Sequence, residues 1–469
     1  MKGSIKYIFG LLILSSFTLF YFFKTNSGQE NIKSFIENEL SKKTNNTIKI
    51  HSLNFDDYPI LIIKLQINNR ANVTLKGKLN NENINMQYYL QGETFSFNGF
   101  TTEESVDIKG TLIGELDSLL VTGEGKAFKG DVHYSFKHLP NMLENVILQM
   151  NKVSSAKILN TLGEKSFIDE PIDIDAKFKV FSRYKQEGVV KIHMDKLSIP
   201  HSDLDTPFVA NATINFHDID YNYKLKMHSS LGEITVVNGH YNRSRAILTG
   251  DYDIHLNDLK DFTNLLKHQY KGDLDTNGTI YYNQENALLK IEGTTQKLEG
   301  ELNYVYKNEN IDLKLKGISL SSLLKQFSYP VLFSSKVYGT VNFDTKEQIV
   351  IINTKLKETR FPQSKLTDVI QERLDANMLS EVYDNSYFSG GYKDSILSAT
   401  LKIDNGKDYL YLSESTLDIE NNKIDAKFKM EIDGTEVQGE IYDTLTDPQL
   451  KIDKKSFATK RLDRWLKSH

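Results

Sequence analysis

The residues best spaced to hold a metal ion are Asp273, Asp275 and Asn277, followed by Gly278 and the apolar Ile280. Oxygen ligands at the first, third and fifth positions, Gly at the sixth and an apolar eighth residue are what a calcium loop requires. The twelfth position should be a bidentate Glu but is Gln284, with Glu285 one place late. A polar turn feeding a strand accounts for the same residues, so no metal is expected. Asp275 to Thr279 also fits an acidic-extended glycosylation sequon. The other reactive types are dispersed. Cysteine is absent, which excludes disulfides, thiolate ligands and thiol catalysis. The 11 histidines form no His-Glu-x-x-His and no close pair, and no Gly-x-Ser-x-Gly occurs. Gly123-Glu124-Gly125-Lys126 lacks the upstream Gly and the following Ser/Thr of a phosphate loop. With no nucleophile–base constellation, the chain is expected not to be an enzyme and to use no cofactor.

What remains is the chemistry of an apolar surface, and the elements that would carry it are strands. In residues 172–180, Ile172, Ile174, Ala176, Phe178 and Val180 alternate with Asp173, Asp175, Lys177 and Lys179. Successive strand side chains point to opposite faces, so this segment has one greasy face and one charged face. The hexapeptide 174–179 recurs as Ile424-Asp425-Ala426-Lys427-Phe428-Lys429, and the alternation continues through Met430 and Ile432. Ile219, Tyr221, Tyr223, Leu225 and Met227 alternate with polar residues in the same way. The candidate lining is therefore Ile172, Ile174, Phe178 and Val180; Ile219, Tyr221, Tyr223 and Leu225; and Ile424, Phe428, Met430 and Ile432.

Between residues 72 and 137 strands are expected to follow one another through turns at Asn80-Asn81, Asn98-Gly99, Gly110, Gly123 to Gly125 and Gly130-Asp131. Residues 139–143 and 154–159 read as short helices around a strand. A repeat follows. Leu265-Leu266-Lys267 lies in a helix expected over 258–270 and precedes a strand opened by Gly278-Thr279; Leu323-Leu324-Lys325, in a helix over 319–327, precedes one opened by Gly339-Thr340. Residues 153–162 leading into 172–180 read as a third, worn copy. Leu366, Val369, Ile370, Leu374 and Met378 place one apolar face on a helix over 365–378.

At the N-terminus, Lys2 and Lys6 precede an uncharged run over 7–23, long enough at about 1.5 Å per residue to reach the low end of a membrane span. No Ala-x-Ala cleavage site follows, so an uncleaved anchor with its N-terminus in the cytoplasm is expected. Ile32, Phe35, Ile36 and Leu40 then mark one face of an amphipathic helix over 31–43. This order, with Phe35-Ile36-Glu37-Asn38-Glu39-Leu40 and Thr47-Ile48-Lys49-Ile50, resembles the AsmA-like and TamB-like family of bacterial envelope proteins. The strand–helix–Gly-Thr-strand unit and the ending from Gly439 to Asp453 resemble the same family. The resemblance implies a mainly β fold: an N-terminal transmembrane helix, then an elongated, curled antiparallel sheet, groove or taco-like, with a few short helices. It also implies phospholipid as cargo. The long C-terminal domain of the largest relatives is missing, so their partner docking does not carry over.

The expected organisation is an anchor over 1–24, a helix and first strand over 25–55, a repeating β region over 56–453 and a basic segment over 454–469. In that last segment Lys and Arg dominate, and Arg461, Leu462, Trp465 and Leu466 could meet an anionic membrane; capping the last strand is the commoner fate. A net charge of -5 over 469 residues argues against nucleic acid as a partner. About 25 strands stacked at about 4.8 Å would reach roughly 120 Å, short of bridging two membranes alone. The leading expectation is an inner-membrane-anchored, periplasmic protein of a Gram-negative cell, holding or moving phospholipid for outer-membrane maintenance. The alternative is an assembly scaffold whose sheet edges pair with an outer-membrane or periplasmic protein.

Overall fold

Apolar side chains at every second position, flanked by charge, specify strands that are wet on one face. The computed structural model forms them throughout. It describes residues 26–453 except 45, 55–58, 81–82, 94, 98–99, 103, 116, 164–165, 167–168, 198–206, 264–269, 328, 330, 364–366, 369–370, 372–377, 380, 433 and 445–446. Among the described residues twenty-six strands belong to one antiparallel sheet, and Phe95–Phe97 with Phe100–Thr102 makes a separate hairpin. Strands pair in chain order. The backbone groups into two compact units: the chain up to Ser230 with Thr235–Ala246, and Leu231–Ile234 with the chain from Ile247 on.

In the first unit the helix Asn26–Thr44 lies against the opening strand Ile48–Asn54. Among the described residues that strand pairs only with Ile60–Ile67, which leaves N–H groups on its other edge without a sheet partner. The helix supplies acceptors for two of them: the Ile50 N–H donates to Glu37 Oε1 at 2.5 Å and the Ile48 N–H to Ser41 Oγ at 2.9 Å. Ile36 and Leu40 are buried in the cluster that holds Leu61, Ile63, Leu65, Ile84 and Leu119. Phe35, expected on that face, is instead 56% exposed.

Because an antiparallel meander alternates its connections between two ends, each unit has a tight end and a loose one. In the first unit the loose end carries the Phe95–Phe97 hairpin and the helix Ser155–Thr161, joined by Lys157 Nζ to Glu104 Oε1 at 2.9 Å. In the second it carries the 3₁₀ turn Leu259–Phe262 and the helix Leu320–Gln326. There Tyr270 meets Phe327 with ring centroids 5.1 Å apart, and Phe361 meets Tyr383 at 5.7 Å.

The three strand–turn–strand junctions expected as a repeat share one feature among the described residues, a side-chain cap. Each copy runs strand, N-cap side chain, helical turn, strand. Ser154 Oγ accepts from the Lys157 N–H, Asp258 Oδ1 from Lys260 N–H and Ser319 Oγ from Ser322 N–H. The strands on either side of each turn then pair directly, as in Met142–Ser154 with Pro171–Phe181 and Asn310–Ser319 with Ser334–Asp344. In the middle copy the 3₁₀ turn stands where a helix over 258–270 was expected; Leu265 to Lys267 lie outside the described residues.

Three local expectations are corrected. Residues 139–143 form a hairpin rather than a helix: Leu139 pairs with Met142 across Pro140-Asn141. Gly110, Gly123 and Gly125 lie inside the strands Val106–Glu115 and Ser118–Ala127, not at turns. Gly130 opens the strand Gly130–Leu139, and the turn is Phe128-Lys129, both at positive φ (55° and 68°) as a two-residue primed turn requires. Most of 365–378 lies outside the described residues, as do 7–23 and 454–469, with Arg461, Leu462, Trp465 and Leu466. No helix among the described residues is long and apolar enough to cross a membrane.

Candidate apolar binding face

Cross-strand register turns alternation in single strands into continuous rows. In the first unit Val146, Phe178, Gly188, Phe216 and Tyr221 stand opposite one another on successive strands. Leu148, Ala176, Val190, Ile214 and Tyr223 form the next row, and Met150, Ile174, Ile192, Ala212 and Leu225 the one after. On the opposite face the register lines up Asp175, Lys191, Thr213 and Lys224. One face is hydrocarbon across five strands and the other is water-facing.

The rows differ in how far they are covered. Ile172, Ala176 and Phe178 are buried, Ile172 in a cluster with Val106, Met150 and Val153. Ile174 and Val180 are half-buried. Along Asp220–Ser229 the apolar set Tyr221, Tyr223, Leu225 and Met227 is half-buried throughout, with none sealed. Ile219 sits in the turn before that strand, 45% exposed. An aromatic band crosses these strands near the tight end: Phe178–Phe216 centroids are 5.1 Å apart, Phe216–Tyr221 4.6 Å and Tyr221–Tyr241 5.8 Å. The Tyr221 hydroxyl donates to Gln186 Oε1 at 2.8 Å, and burial raises the Tyr223 phenol above its ordinary pKa. The Tyr223 phenol is thereby held neutral, as an apolar face requires.

In the second unit the strands nearest its C-terminal end are sealed. Phe428, Met430 and Ile432 are buried with Ile403, Leu410, Val437 and Ile441, while Ile424 is half-buried. Further toward the start of this unit, Ile280, Ile291, Ile311, Leu313, Val341 and Phe343 are half-buried again.

Each unit also contains an element that sequence reading missed. Tyr88, Gly110, Gly123 and Tyr134 stand in one cross-strand row of the first unit. The two rings fold over the two glycines until their hydroxyls meet at 2.6 Å, and Tyr88 Oη donates to the Thr122 carbonyl at 2.9 Å. In the second unit Tyr252, Gly278, Gly293 and Tyr304 repeat the arrangement, again with 2.6 Å between hydroxyls and with Tyr252 Oη donating to the Glu292 carbonyl at 3.1 Å. A Cβ on Gly123 or Gly293 would fall inside both rings' contact distance. The glycines are thus ring seats, and their spacing from the tyrosines is the signal that could have found them. Burial pushes the Tyr88 and Tyr252 phenols far above their ordinary pKa.

The calcium-like stretch is a strand. Asp273 precedes Leu274–Asn283, and Lys297 Nζ bridges Asp273 and Asp275 at 2.5 and 2.6 Å, supplying the positive charge itself. No group of three or more His, Asp or Glu among the described residues is placed to hold a metal. No family model matches this chain, and no curated protein or solved structure matches it.

Proposed function

We propose that the protein holds or moves phospholipid, with acyl chains laid on the half-covered apolar face and headgroups left in water. The observation that carries this reading is the strand Asp220–Ser229, whose whole apolar side is only half-buried although the next two strands on one side, Phe208–His217 and then Gln186–Leu197, continue its rows. An acyl chain leaving a bilayer loses about 0.8 kcal/mol per methylene exposed to water, and a hydrocarbon face removes that barrier. No single residue is the site; the inward parity of several strands is. The reading places the chain at the inner membrane, anchored through residues 7–23 with its sheet in the periplasm, in the manner of AsmA-like proteins serving the outer membrane.

A photo-crosslinking amino acid at Tyr223 tests it in cells expressing the full chain. Phospholipid adducts are expected at Tyr223 and not at Lys224, which faces the other way. Equal adducts at both positions, or none at Tyr223, would remove the basis for the reading.

A further inference from the structure

The outward face of the second unit carries an order that the apolar face does not explain. Read across seven strands, the residues opposite one another are Lys316, Tyr338, Lys355, Tyr387, Lys402, Tyr411 and Lys429. Lysine and tyrosine alternate without a break. Tyr338 and Tyr387 are each 37% exposed, and Lys357 Nζ lies 5.5 Å from the Tyr338 ring centroid. Beside this row, two residues along each strand, Thr340, Asn353, Ser389 and Thr400 stand opposite one another, with Ser389 Oγ donating to Asn353 Oδ1 at 3.0 Å.

Strands sit about 4.8 Å apart, so the tyrosines recur every ~10 Å. That is close to the rise of two pyranose rings in an extended 1,4-linked chain. We propose that this face binds a linear anionic polysaccharide along the lysine–tyrosine row, rings stacked on the tyrosines and hydroxyls on the Thr/Asn/Ser row. The charge balance favours a sugar chain over a denser polyanion. Lys316, Lys402 and Lys429 already have carboxylate partners in Glu301, Asp404 and Glu436. Lys355 has none among the described residues and supplies the uncompensated charge. A nucleic acid strand needs more positive charge than this. A bilayer surface would meet short hydrogen-bonding residues beside the row instead of apolar ones. The proposal concerns the outward face of the second unit and stands apart from the lipid reading.

The test uses the full chain in detergent micelles, titrated with oligogalacturonates of two to eight residues, a single-stranded oligothymidylate, and phosphatidylglycerol vesicles. Binding of oligogalacturonate should strengthen with length until the chain spans Tyr338 to Tyr411, about 19 Å. Tyr387→Ala and Lys355→Gln should each weaken it about tenfold, while Tyr442→Ala, exposed but outside the row, should not, and all three should keep the native urea midpoint. Absence of uronate binding, unchanged affinity in both row variants, or tighter binding of the oligonucleotide or the vesicles would overturn the proposal.

Discussion

Gly123 and Gly293 are the residues whose replacement reports most on local geometry. Each is a seat for two tyrosine rings, and a methyl group there must displace an aromatic ring or the neighbouring strand. Gly123→Ala and Gly293→Ala should each cost about 1–3 kcal/mol by urea denaturation. Gly391→Ala, where the nearest atom to a new Cβ is the Val350 carbonyl oxygen at 3.8 Å, should be close to neutral. A second residue-scale effect is titration of His255. Its ring nitrogen bonds Asp275, which raises the His pKa and lowers the Asp pKa, with Lys297 and Asp273 completing the exposed cluster. The raised histidine contributes stability that is full below its unfolded pKa and is lost as pH rises through the folded value. The depressed aspartate contributes stability above its unfolded pKa that is lost as pH falls through its folded one. The pair should therefore stabilise most between those limits, from about pH 4 to 6.5. In His255→Gln the fall in urea midpoint above that window should become shallower.

At the scale of elements, the helical turns at the loose end depend on their caps. Ser154→Ala and Ser319→Ala should each cost about 1 kcal/mol, read as a lower urea midpoint. The helix Asn26–Thr44 has a different task, shielding an edge. Glu37→Ala with Ser41→Ala frees the Ile50 and Ile48 N–H groups for pairing with another chain, and light scattering should show aggregation before stability falls much. These elements were unequally legible. Period-two alternation marked the strands because burial on one face leaves no other pattern, and the Leu-Leu-Lys steps marked the repeat. The hairpin at Phe128-Lys129 was read two residues late, at Gly130-Asp131, since neither Phe nor Lys is a turn former and the positive φ angles are imposed by the strands they join. Gly110 and Gly123 misled for the opposite reason: glycine reads as a turn unless the ring that needs it, 11 to 22 residues away, is known to lie across the sheet.

At the scale of the whole chain, each unit has an apolar sheet face whose coverage varies with position, and residue pattern alone does not show that variation. Ile172–Val180 and the matching 424–432 looked equivalent by residue pattern. Position for position the two hexapeptides are covered alike, Ile174 and Ile424 half-buried and Phe178 and Phe428 buried; they part at the next inward residue, where Val180 is half-buried and Met430 is enclosed, and along Asp220–Ser229, where Tyr221, Tyr223, Leu225 and Met227 are all half-buried. The candidate site thus narrows from every apolar strand position to the rows that end at Tyr221, Tyr223 and Leu225. Phe428→Asp should unfold the second unit, at a cost on the order of 4 kcal/mol, and says nothing about cargo. Tyr223→Asp with Leu225→Asp should lower the urea midpoint less than Phe428→Asp does, because those side chains are half-buried rather than enclosed. The decisive measurement is phospholipid per chain, extracted from full-length protein purified without added lipid and quantified by mass spectrometry. Bound phospholipid in the native chain, mostly lost in the Tyr223→Asp, Leu225→Asp variant, is the predicted result. A native chain free of phospholipid, or a variant that retains it in full, would contradict the account.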